Sequence, residues 1–438
     1  MTEIAILGAG MAGFGAAHHL RAAGGGARGI VYERRDHYGG HTSSYCFDSG
    51  FVFDEGGHVS FTKDERIQRM LAENVRNDYQ TLHTRVNNYW NGHWIKHPAQ
   101  CNLYGLPPDL VAKVLHDFIE ARYRENGDIR TYRDWLVATF GRTFAETFPM
   151  EYGLKYHTTT ADNMTTEWIG PRLYQPSLEE VLRGALSPTT PDVHYISHFR
   201  YPSRGGFASY LRPWAERMDL RLQHEVVAID PRTRELRFKN GARAHYDRLI
   251  SSMPLPELIP LIAGAPADVR EAAARLACTT VVIVTLGVNR PDLIDAHWTY
   301  FYDRDLFFTR LNTPHLQSPN NVPPGCGALQ VECYYSPKYR PLDRQPGECV
   351  APVIADLKRV GVLRDDDQIV FQHSMLIPYA NVIFDLERPA ALATVHGYLE
   401  ELGILACGRY GEWGYLWTDE SFKSGENAVQ KVLDGVEV

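Results

Sequence analysis

Hydrophobic and polar positions repeat with two different periods along the chain, and each change of period marks an element. Apolar residues run unbroken from Ile4 to Leu7 and again from Ile30 to Tyr32. These are short apolar strands, and a helix-like stretch ending at Ala23 lies between them. Asp64 to Val75 sets Ile67, Met70 and Leu71 at helical spacing among charges, which predicts an amphipathic helix. Thr84 to Ile95 alternates on either side of Asn91-Gly92, a strong hairpin signal. From Asp109 to Gly184 the pattern is mostly helical, entered through Pro107-Pro108 and left through a Ser/Thr/Pro-rich loop at 187–191. A strand-turn-strand region runs from Leu220 to Met253. Val281 to Val288 is a β-branched, buried strand, and alternation recurs at Trp298 to Phe308 and Ala328 to Tyr335, predicting an antiparallel sheet. A strand from Gly403 to Ala406 leads into a loop. Phe422, Val429, Val432 and Leu433 then share one face of a last helix, with Thr418, Asp419 and Ser421 as cap candidates.

The first strand runs directly into Gly8-Ala-Gly10-Met-Ala-Gly13, and Glu33 ends the second strand twenty residues after Gly13. Gly8 makes the tight turn, Gly10 admits a pyrophosphate, and Gly13 lets helix and strand pack closely. The helix N-terminus offers free N–H groups to the phosphates, and the acid suits a ribose hydroxyl. Strand, helix and spaced acid together predict a dinucleotide site.

Composition narrows the partners. The chain has 438 residues and a net charge of −8, with acids and bases mixed throughout. No basic face suits a nucleic acid, so an anionic substrate must be met by a few local arginines. Seven cysteines without a C-x-x-C pair argue against a disulfide framework and against a zinc site; no metal is expected. No apolar run reaches the roughly 18 residues of a membrane span, and no signal peptide is read at the N-terminus. The expectation is a cytoplasmic enzyme without a membrane partner, its homo-oligomeric state left open. Arg172, in Glu167-Trp168-Ile-Gly170-Pro-Arg172, and Arg310, after Trp298-Thr-Tyr300, are the candidate anion binders, since a guanidinium forks onto a diphosphate.

Gly39-Gly40-His41 and Phe53-Asp-Glu-Gly56-Gly57-His58 resemble the flavin-binding start of the amine oxidase and UDP-galactopyranose mutase superfamily. The later stretches Phe148 to Arg172, Trp94 to Gln100, Phe199 to Gly206 and Gly408 to Tyr415 are similar to the UDP-galactopyranose mutases, most of all the eukaryotic-type branch. The resemblance spans nearly the whole chain. It implies an α/β fold: a Rossmann-like FAD-binding domain (1–82, 200–256, 388–438), a helical substrate domain (98–199) and an antiparallel sheet domain (83–97, 257–387). It implies FAD held by Gly8, Gly10, Gly13, Glu33, Gly40, Gly57, His58, Gly205, Gly206, Gly408 and Arg409. His58 lies beside flavin N5, and Arg172 and Arg310 clamp the diphosphate. His97, Gln100, Tyr152, Tyr300, Tyr379, Tyr415 and Asp419 contact substrate, and Arg85 and Asn87 fall where NADPH or NADH would reduce the flavin. The implied reaction interconverts pyranose and furanose forms of a nucleoside-diphosphate hexose, by attack of reduced flavin N5 on the anomeric carbon. A closing strand and capped helix would also bring a helix N-terminus to the flavin, favouring its reduced anion.

Four positions depart from the family. Ala99 replaces an aromatic that packs on uracil, His97 a tyrosine, Asp419 an asparagine and His157 a tryptophan. Losing the aromatic at 99 opens volume for a purine, so GDP stands beside UDP as the expected nucleotide. The rival function is an FAD-dependent amine or porphyrinogen oxidase, which needs an apolar or aromatic-caged site.

Overall fold

The computed structural model describes residues 2–24, 26–124 and 127–435. A five-stranded, all-parallel sheet gathers strands from both ends and the middle of the chain, in the order Ile404–Ala406, Arg248–Ser251, Thr2–Leu7, Ala27–Tyr32, Asp219–Arg221. The central strand Thr2–Leu7 has Ala27–Tyr32 on one side and Arg248–Ser251 on the other, and a crevice opens at its carboxyl end, where the three glycines lie. Helix Met11–Ala23 covers this sheet and interlocks with the last helix, Thr418–Leu433. Glycines set that contact: a Cβ on Gly15 would stand 2.0 Å from Phe422 O, and one on Gly425 1.9 Å from Ala12 O.

Gly13 is as tight toward its own strand, with a Cβ there 1.9 Å from Gly8 O. Gly13→Ala therefore pushes the helix off the strand and lowers the melting temperature of the protein. Gly397→Ala, in helix Arg388–Glu401 with nothing within 4 Å, leaves it unchanged.

The second sheet has seven strands, in the order Ile369–Ile377, Thr280–Val288, Gly327–Tyr335, Arg310–Asn312, Trp298–Phe301, Val86–Trp90, His93–Lys96. It corrects the expectation of a purely antiparallel sheet, because Trp298–Phe301 runs parallel to Val86–Trp90. The alternation of its strands sorts two faces. Val282, Val284, Phe301, Leu311, Val331 and Cys333 point to one side and pack with Val353 and Leu357 of helix Val350–Arg359. On the other side register builds a row: Ile283 opposes Glu332, Glu332 opposes Arg310, and Arg310 opposes Tyr300. Paired residues share a face, so a carboxylate, a guanidinium and a phenol line up there.

Helix Pro149–His157 roofs that row, and its Tyr152 and Tyr156 rings stack at 5.4 Å one turn apart. The buried Lys155 fixes its height by donating to Phe301 O and Asp303 O, at 3.2 and 2.7 Å. Helices Pro108–Tyr123, Tyr132–Phe140, Arg142–Thr147 and Leu178–Leu186 complete the helical region.

Several elements differ from the sequence reading. Residues 302–309 are loop, because the strand from Trp298 stops at Phe301. Leu255–Leu261 and Ala267–Arg275, grouped with the sheet, are helices in the core beside the parallel sheet. Gly408–Gly411 is a helical turn rather than a loop. The last helix is capped at Trp417, whose N–H donates to the Glu420 carboxylate at 2.8 Å, not by Thr418, Asp419 or Ser421. Tyr79–His83 pairs with His198–Pro202, a ribbon that sequence periodicity left unread.

Candidate functional site

Two cavities meet inside the chain. One, about 570 Å³, follows the crevice and is lined by Gly8, Gly10, Glu33, Gly40, Ser252 and Gly408. The other, about 340 Å³, lies between the seven-stranded sheet and helix Pro149–His157. His41, His58, Arg409, Tyr410 and Trp417 face both, so the cavities communicate across these side chains.

A dinucleotide fits the first. Gly8 at φ +100° and Gly408 at φ +73° take left-handed turns that only glycine adopts without strain. Added Cβ atoms there would meet Ser252 Oγ at 2.3 Å and the Ala12 Cβ at 2.6 Å. The Glu33 carboxylate is fixed by the N–H groups of Ala9 and Arg35, at 2.9 and 3.0 Å. Arg409 Nε is buried without a partner, a donor aimed where the cavities join.

Arg172 and Arg310 both line the second cavity, with different electrostatics. Arg310 gives Nε and Nη2 to Glu332 at 2.7 and 2.8 Å, while Asn312 and Tyr334 also donate to that carboxylate. Its charge is balanced, and Nη1 remains for a ligand. Arg172 forms no ion pair among the described residues. Its Nη groups donate to the carbonyls of Trp168 and Tyr415, its Nε is buried and unpartnered, and its plane lies between the rings of Tyr415 (4.4 Å) and Trp417 (4.7 Å). Glu55, the other acid in the wall, is already bound by Arg35 and His41. Burial raises its pKa, but the His41 and Arg35 contacts outweigh this and hold it at about 2. The uncompensated charges facing the cavity are therefore Arg172 and Arg409, and the cavity is cationic within an acidic protein.

His58 has its pKa lowered to about 4 by burial and by the nearby His41. Its Nδ1 lies 3.1 Å from Gly56 O, which can only accept, so the neutral ring carries its proton on Nδ1 and presents a bare Nε2.

The other expected residues divide. Tyr152, Tyr300, Tyr415, His97, His157 and Gly57 line the same cavity as the arginines. Gln100 lines a side pocket of about 60 Å³ and donates to Tyr174 O at 2.8 Å. Tyr379 lies instead in the dinucleotide cavity. Asp419 lines neither cavity and accepts from Thr62 Oγ1 at 2.5 Å. Gly205 and Gly206 also line neither; Gly206 packs on Ser44 and Asp54, which takes the next N–H, from Phe207. Arg85 is ion-paired to Asp295, and neither Arg85 nor Asn87 reaches the two cavities. Ala99 is 1% exposed and packs in the main core. Sequence reasoning missed Tyr156, whose hydroxyl lies 3.0 Å from that of Tyr415, and also Glu332 and Trp417. The i,i+4 spacing of Tyr152 and Tyr156 was the available signal for the first.

Buried histidines set an acid limit. Burial lowers His157 to about 3 and His297 to about 4, and pulls His97 well below 6.5. Between pH 6.5 and 4 the unfolded chain binds these protons and the folded chain does not, so stability falls as pH falls. Asp54 opposes this, because burial raises it to about 6 and the folded state then keeps a proton that the unfolded chain releases above 3.8. Together with His58, also held at about 4, these histidines outweigh one acid: Tm drops from pH 7 to pH 5, and His157→Phe flattens the slope.

The family model described as flavin containing amine oxidoreductase matches residues 11–433. The structure of reduced UDP-galactopyranose mutase superposes with a TM-score of 0.93 at 25% identity, covering 100% of this chain and 97% of that one. A candidate protoporphyrinogen oxidase from Exiguobacterium sp. 255-15 gives 0.75 at 16% identity, covering 98% of both. Putrescine oxidase bound to putrescine gives 0.65 at 17%, covering 99% of both. None of the described helices is long and apolar enough to cross a membrane. The chain belongs to the flavin containing amine oxidoreductase family, and within that family it is UDP-galactopyranose mutase-like.

Proposed function

We propose that the protein is a flavin-dependent mutase that interconverts the pyranose and furanose forms of a nucleoside-diphosphate hexose. One observation carries this reading: two arginines face a single cavity that opens, at His58 and Arg409, onto the dinucleotide crevice. FAD would be held by the glycines at 8, 10, 13, 40 and 408, by Glu33 and by Arg409. When bound and reduced it supplies the nucleophile for the anomeric carbon, at N5. Arg172 and the free Nη1 of Arg310 hold the diphosphate, first in the substrate and then as it departs with added charge. Retained there, it stays within reach for return to the rearranged sugar. The paired hydroxyls of Tyr156 and Tyr415 and the phenol of Tyr300 face the sugar, and His58 Nε2 accepts a proton-bearing group at the flavin edge.

Dithionite-reduced protein incubated with UDP- and GDP-hexoses yields a furanose isomer on anion-exchange chromatography, and oxidised protein does not. Absence of a new isomer in every reduced sample overturns the mutase. The nucleotide that protects better in a thermal-shift comparison, UDP or GDP, is the one that the site takes.

The aromatic walls, Tyr152, Tyr195, Trp168 and Trp417 among them, favour a second reading as an amine oxidase. Charge argues against it: Glu55 and Glu332 are both occupied by arginines, leaving no carboxylate free for a substrate ammonium. Hydrogen peroxide release with an alkylamine is the result that would favour the oxidase.

A further inference from the structure

Arg388 opens helix Arg388–Glu401, outside both cavities, yet it is buried and unusually tied. Its Nε and Nη2 both donate to Trp413 O, at 3.0 and 2.7 Å, and its Nη1 donates to Glu167 Oε2 at 2.9 Å. Its backbone N–H is held by Asp385 at 2.9 Å, and its plane rests on the Phe384 ring at 4.2 Å. These two partners belong to the segments that cradle Arg172. Glu167 precedes Trp168, and Trp413 stands two residues before Tyr415; Trp168 O and Tyr415 O accept the Arg172 guanidinium. Trp413 is fully buried with φ +49°, a left-handed conformation that a bulky residue holds only when its surroundings impose it. A guanidinium gripping its carbonyl with two donors is such a constraint.

We infer that Arg388 is a positioning residue for the diphosphate site, fixing the separation of the 165–172 and 411–417 segments and hence the orientation of Arg172. The inference rests on the proposed nucleotide-sugar reading. Without Arg388 the Trp413 carbonyl loses both donors, the left-handed turn relaxes, and Tyr415 O moves from Arg172. Lysine cannot replace it, because one ammonium cannot serve a carbonyl and a carboxylate on opposite sides.

The test measures UDP and GDP dissociation constants by calorimetry on flavin-loaded protein. The tighter nucleotide is expected to bind Arg388→Gln about tenfold more weakly, with flavin stoichiometry and absorbance maxima unchanged. Combined with Arg172→Ala, Arg388→Gln adds no further loss, because it acts through Arg172. A purely structural role would weaken binding equally in both backgrounds, and that additivity overturns the inference, as does unchanged affinity in the single variant. Should Arg388→Gln fail to fold, Glu167→Gln carries the test, since that carboxylate is half exposed; it weakens binding about threefold, again only when Arg172 is present. Wild-type protein that binds neither nucleotide overturns the nucleotide-sugar reading itself. Wild-type binding with an Arg388 variant of equal affinity removes only the role of Arg388.

Discussion

Arg172→Ala lowers kcat/KM for the nucleotide sugar about 10²–10³-fold, the range for removing one preorganised donor to a developing anion. The effect is large because Arg172 has no carboxylate to share its charge, and its Nε is already desolvated without a partner. Ligand-free, the guanidinium spends its donors on two carbonyls and lies between Tyr415 and Trp417. A diphosphate replaces neutral acceptors by anionic ones, so the exchange favours the bound state. Arg172→Lys recovers little, since an ammonium neither forks onto two oxygens nor lies flat between two rings. Single-turnover kinetics of the reduced protein, with flavin content as the control for folding, provides the measurement. A rate within threefold of wild type shows that the cavity does not bind a diphosphate through this residue.

How much of this was legible beforehand follows from the range over which each signal acts. Gly8, Gly13 and Glu33 pointed to the crevice because a tight turn, close packing and an acid at a strand end are local features that bear on neighbouring residues. The β-branched run Val281 to Val288 and the alternation of Ala328 to Tyr335 pointed to strands of the large sheet, but not to its order, and so not to Glu332 standing opposite Arg310. That pairing is a matter of register, and register is set by contacts far apart in sequence. Tyr379 and Tyr415 look alike as tyrosines near the carboxyl end, yet one faces the dinucleotide crevice and the other the arginines. Ala99 shows a related limit: a small side chain in sequence does not say what packs around it, and here it lies in the main core. Asp419, a cap candidate by composition, turns to Thr62 because the Trp417–Glu420 contact already satisfies the helix start.

Arg310→Met destabilises the protein by about 3–5 kcal/mol, because it strands the Glu332 carboxylate, 1% exposed, without its guanidinium. Asn312 and Tyr334 still donate to that carboxylate, but neither carries charge. The same variant loses activity twice over: the Nη1 donor is gone, and an unpaired negative charge now faces the incoming diphosphate. Adding Glu332→Gln separates the two effects. The double variant Arg310→Met/Glu332→Gln recovers most of the stability in urea denaturation, since the buried charge is removed together with its partner. Its kcat/KM stays far below wild type, because no cation returns to the site. Glu332→Gln alone releases the whole charge of Arg310 to the ligand; diphosphate affinity rises while turnover falls, as the departing group is held too firmly to rejoin the sugar. Additive stability losses in the double variant would show that Arg310 and Glu332 do not act as a pair, and the argument that one arginine is balanced while the other is free would fail with them.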